Sequence, residues 1–156
     1  MIKFKSLPFD EFYNQLANAK NSIHLERSSM TIEELKEISA HPLVSIQSHT
    51  VNHPILTNVP EDVLENELID SKRFLETLCN KEMFAFSYPN GSLSEREVNA
   101  VGKAYKIAFT VEQRHITMQE SIFLIPRVSL TGEYYKDLLK IYRIWPIIKN
   151  FVGRIM

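Results

Sequence analysis

The feature that most restricts the fold of this chain is its alternation of two hydrophobic periods after Met30. Thr31 followed by Glu34 has the spacing of a capping box and predicts a helix near 32–40, with Ile32, Leu35 and Ile38 on one face. Pro42 stops that helix, and LVSIQS then alternates as a strand would, near 43–48. Pro60 opens a longer helix near 60–79, striped by Leu64, Leu68, Leu75 and Leu78. MFAFSY predicts a strand near 83–88, closed by Pro89, Asn90 and Gly91, and Ser94 with Glu97 caps a short helix reaching about Ala104. KIAFTV and IFLIPRVSL predict strands near 106–111 and 123–129, before a C-terminal helix interrupted at Pro146. Helices alternating with strands imply an α/β fold with a mostly parallel sheet. One domain is expected over 31–156, behind an irregular segment 1–30 whose only helix candidate is PFDEFYNQLANA.

Composition narrows the function classes. A net charge of -1 gives no electrostatic reason to expect nucleic acid or an anionic membrane as partner. Cys79 is the single cysteine, so neither an intramolecular disulfide nor a cysteine-based zinc site is available. No stretch is apolar over the length that a bilayer requires, and MIKFKSLPFDEF turns acidic before an apolar run forms. The default expectation is a cytoplasmic chain.

Two segments carry chemistry, and each follows an expected strand, where α/β folds keep their sites. SHTVNHP places His49 and His53 four residues apart. In an extended strand they would stand roughly 13 Å apart, at about 3.3 Å per residue, too far to share one ion. In a helical turn their Cβ atoms come within roughly 5–6 Å. Chelation therefore requires the chain to turn helically after the strand, and Pro54 keeps any such turn short. A zinc-protease helix would need Glu directly after the first histidine, where Thr50 stands. The spacing alone leaves a metal clip and two solvated loop histidines equally open. The second segment, YPNG, is explained as a tight turn by its residue types.

SIQSHTVNHPILTNV, ENELIDSKRFLE, FAFSYPNGSLSEREV, YKIAFT and LIPRVSL, in that order, resemble the polysaccharide deacetylase family. The resemblance implies a partial, distorted (β/α) barrel matching the family's C-terminal portion without its first strands. It also implies metal-assisted hydrolysis of N-acetyl groups on sugars, a carbon–nitrogen bond outside peptides. His49 and His53 would hold a divalent ion, Zn²⁺ before Co²⁺ or Ni²⁺, and the backbone at Asn90 would supply an oxyanion donor. Ser87 replaces an arginine found in many members, and Arg127 would restore that cation beside a carboxylate. An N-acetylated polysaccharide or sugar is the implied substrate.

The chain departs from the family in two places. It has no T-F-D-D-like block to supply the third ligand and general base, and Asp10 with Glu11 precede His49 too closely to stand in for it. The late L-x-H-like block is also absent, since His115 in VEQRHITM does not match it. Three readings follow: a deacetylase domain, a non-catalytic relative that binds carbohydrate, and a scaffold whose loop is clipped by zinc. An open, apolar sheet edge is expected to favour self-association.

Overall fold

The computed structural model describes residues 7–22 and 29–143. Helices α1 (Phe9–Ser22), α2 (Ile32–Ala40) and α3 (Glu61–Cys79) precede strand β1 (Ala85–Ser87). Helix α4 (Glu95–Ala104), strands β2 (Ile107–Gln113) and β3 (Ile125–Arg127) and helix α5 (Tyr134–Ile141) follow. The strands form one parallel sheet in the order β1-β2-β3, a partial (β/α) barrel. Pro146 lies outside the described residues, so the expected interruption of the C-terminal helix falls there too.

The helix starts follow the predicted caps. Both capping boxes form, Thr31 with Glu34 and Ser94 with Glu97. Pro60 sits one residue earlier than expected, as the N-cap of α3, where its missing N–H costs nothing. Leu64 and Leu68 of α3 and Val101 of α4 pack on Phe86 and Ala108 of the sheet, each at most 1 % exposed. Truncating one of these leucines to alanine removes buried area and leaves a cavity, at a cost of about 2–5 kcal/mol.

Three expectations about regular structure are corrected. The predicted strand 43–48 contracts to one parallel bridge, Ser48 to Phe86. Ser48 donates to Ala85 O and its carbonyl accepts from Ser87 N, but Gln47 Oε1 takes the Ala85 N–H at 2.9 Å. A side chain thus satisfies the group that would have continued the ladder. The strand predicted over 123–129 is only Ile125–Arg127. Pro126 at its centre has no N–H to donate, and the β2–β3 register shifts beside it. Finally, the N-terminal segment expected to be irregular contains α1, which forms over the PFDEFYNQLANA candidate, runs on to Ser22 and packs Phe9 against the core.

Candidate functional site

The loop that follows Ser48 is built from below by buried polar groups. Ser48, 1 % exposed, stands 2.6 Å from Ser71 Oγ, and Tyr105 Oη donates to Leu68 O with Ser48 Oγ 2.8 Å away. Ser48 thereby fixes the point at which the chain leaves the sheet. Beyond it Thr50 and His53 adopt left-handed conformations, φ +70° and +56°. Such backbone costs an ordinary residue roughly 1–2 kcal/mol, so neighbouring contacts must hold it. His53 N donates to Thr50 Oγ1 at 3.0 Å, and Tyr13 Oη donates to Asn52 O at 2.7 Å from α1.

Glu67 of α3 supplies the largest share of that support. Only 4 % exposed, its carboxylate accepts from Val51 N, Asn52 N and Asn52 Nδ2 at 2.7–2.9 Å. Its negative charge, together with burial of the ring, raises the Tyr13 hydroxyl above the ordinary tyrosine pKa, burial acting first.

The result brings His49 and His53 together, with ring centroids 4.9 Å apart and planes at 78°. The expected helical turn is not the means. A loop with two left-handed residues does it instead, because Glu67 takes the N–H groups that a helical turn would leave to water. His49 Nδ1 lies 2.6 Å from Ser87 O. A carbonyl can only accept, so Nδ1 carries the proton and Nε2 keeps its lone pair free. This is the arrangement by which a carbonyl orients a ligating imidazole. Both rings are exposed at the C-terminal end of the parallel sheet. Two imidazoles this close suit a divalent ion as two of its ligands. Among the described residues no group of three or more His, Cys, Asp or Glu side chains gathers around them.

Beside His53 opens a cleft of about 540 Å³. Phe9 and Phe12 of α1, Ile55, Val111 and the Pro89–Gly91 turn line it. Gly91 is required there, because a Cβ at this position would stand 2.9 Å from Val111 Cγ2. Asn90 Oδ1 caps Ser92 N at 3.0 Å, while among the described residues no acceptor takes the Asn90 N–H.

The other sequence candidates fall away from the pair. Arg127 is exposed at the end of β3 and donates from Nε to Thr110 O at 2.6 Å. Among the described residues its partner is this carbonyl, not the carboxylate expected for it. Asp10 and Glu11 occupy the exposed first turn of α1, where acids suit the helix dipole, and Glu11 meets Gln15 at 3.4 Å. His115 lies in the β2–β3 connection. Glu67, Ser71, Tyr105 and Tyr13 were not singled out by the sequence reading. A signal existed for the first two: they fall on the apolar stripe of α3, in step with Leu64 and Leu68.

Comparison with known proteins gives the site its context. The family model described as polysaccharide deacetylase matches residues 10–108. A Bacillus subtilis (strain 168) protein carrying a polysaccharide deacetylase name is 27 % identical over 103 residues, covering 65 % of this chain and 37 % of its own length. Poly-beta-1,6-N-acetyl-D-glucosamine N-deacetylase of Staphylococcus aureus is 24 % identical over 117 residues, 69 % of this chain and 40 % of that protein. Among solved structures, a Streptococcus pyogenes deacetylase in complex with acetate superposes with a TM-score of 0.64 at 27 % identity. The match covers 71 % of this chain and 50 % of that one. A polysaccharide deacetylase from Bacillus cereus gives 0.62 at 26 % identity, covering 70 % and 36 %. The chain thus spans half or less of the length of each of these relatives.

Proposed function

The chain belongs to the polysaccharide deacetylase family, and on that premise we propose that it supplies the metal-clip and oxyanion half of an N-deacetylase site acting on N-acetylated sugar polymers. The observation that carries the proposal is the His49–His53 pair, close-packed and with His49 Nδ1 committed to Ser87 O. A divalent ion held there, Zn²⁺ before Co²⁺ or Ni²⁺, would lower the pKa of a water and polarise the acetyl oxygen. His53 forms part of the cleft wall, and the His49 ring stands against it, 4.9 Å away between centroids. The Asn90 N–H is the donor for the oxyanion of the tetrahedral intermediate, being otherwise without an acceptor among the described residues. Phe9, Phe12, Ile55 and Val111 give the substrate an apolar wall and exclude water from the reacting carbonyl.

No described carboxylate is grouped with the histidine pair to serve as general base or further ligand. For the described residues taken alone, that observation favours the second reading, a carbohydrate-binding relative. General base catalysis contributes about 10²–10⁴-fold, so the isolated chain is expected to release acetate slowly. The test is acetate release from an N-acetylglucosamine oligomer with added Zn²⁺ or Co²⁺. The isolated chain is compared with a longer polypeptide that carries an upstream acidic strand. Chelator-sensitive turnover confined to the longer polypeptide supports the proposal. Robust turnover by the isolated chain would overturn the missing-base part and direct attention to Asp10 and Glu11. No acetate from either would leave the binding reading.

A further inference from the structure

We infer that Glu67 is a positioning residue for the histidine clip: through the 50–53 backbone it sets the distance between His49 and His53. The inference rests on the metal-clip reading. A carboxylate that is 4 % exposed on a 19-residue helix is unusual unless it is paired, and among the described residues it forms no ion pair. Its partners are instead two consecutive backbone N–H groups, Val51 and Asn52, and the Asn52 amide. These groups lie between the two left-handed residues, Thr50 and His53, that fold the second histidine back onto the first. Freed of Glu67, Val51 N and Asn52 N would turn to water. The chain would then relax toward extended backbone, where four residues part the imidazoles by roughly 13 Å. Helix packing does not need this charge, since a leucine would continue the Leu64–Leu68 stripe.

Substitution of Glu67 separates positioning from fold. Glu67→Leu fits the apolar stripe but accepts nothing. Glu67→Gln keeps one acceptor for the two backbone N–H groups, and its amide can donate to Asn52 once that side chain flips. Calorimetric titration of the 156-residue chain with Zn²⁺ should show affinity lowered at least about tenfold in Glu67→Leu, the scale of outer-shell losses. Glu67→Gln should stay within about threefold of the wild type, because it preserves the backbone contacts. A structural role alone would move thermal stability and leave the affinity ratio between the two variants near one, which overturns the inference. Amide hydrogen exchange in metal-free protein gives an independent readout. Val51 and Asn52 should be protected in wild type and Glu67→Gln, and should lose that protection in Glu67→Leu. If the wild type takes up no Zn²⁺, the metal reading fails by itself and exchange decides the positioning claim, with unprotected Val51 and Asn52 amides overturning it. Should Glu67→Leu not fold, Asn52→Ala on the exposed loop replaces it. That variant removes one of the three contacts, and unchanged Zn²⁺ affinity and Val51 exchange in it would count against the inference.

Discussion

Two loops leave the same end of the sheet, one after the Ser48 bridge and one after β2, and each carries histidine, yet they are held in opposite ways. The 49–53 loop is anchored by groups inside the protein: Ser48, Ser71, Tyr105 and Glu67 are all 5 % exposed or less. The 114–124 connection between β2 and β3 is anchored on its surface, by Arg114 bonded to Glu112 and in fork geometry to Glu120 at 2.6 Å. The first loop places two imidazoles against each other, and the second leaves His115 without a histidine neighbour among the described residues. Surface pairs typically contribute little, whereas a buried hydrogen-bonded group is costly to leave unpartnered. A histidine after a strand is therefore informative only when its loop is fixed by groups withdrawn from water.

The largest effect expected from breaking this contrast lies at Tyr105. Its hydroxyl donates to Leu68 O at 2.7 Å and meets Ser48 Oγ at 2.8 Å, in the base of the histidine loop. Tyr105→Phe should cost about 2 kcal/mol in denaturant unfolding, the penalty of leaving buried acceptors unpaired. A loss below about 0.5 kcal/mol would show that the loop base is not held as described. The counterpart change, Arg114→Ala, should cost less than Tyr105→Phe, because the pairs it breaks lie at the surface and are screened by water.

A subtler difference appears with pH. Hydrogen bonds from Arg114, opposed by partial desolvation and aided by Thr117, hold the Glu120 carboxyl down at about 2. A depressed carboxylate stabilises the fold above its ordinary value of 4.5 and loses that contribution as pH falls toward 2. Carboxyl NMR should find the Glu120 midpoint near the lower value in wild type and near the ordinary one in Arg114→Ala. Equal midpoints in the two proteins would remove the fork from the account.

The helices were legible in the sequence because their signals are local. Thr31 with Glu34 and Ser94 with Glu97 announce helix starts through contacts three residues apart. Strand limits were less legible, because they depend on partners distant in the chain. Val44, Ile46 and Ser48 alternate as a strand should, yet Gln47 replaces the ladder with a side-chain contact to Ala85, 38 residues away. The histidine pair was visible by spacing, but its closeness depends on Glu67, 14 to 18 residues further on and across a helix–loop boundary. Arg127 was read through the resemblance as a cation beside a carboxylate, and its partner turned out to be the Thr110 carbonyl on the adjacent strand.

The central claim is that His49 and His53 form one metal clip, and calorimetric titration with Zn²⁺ tests it most directly. The account predicts one binding event in the wild type, lost separately in His49→Ala and in His53→Ala and retained in His115→Ala. A wild-type isotherm unchanged in either of the first two variants would contradict it.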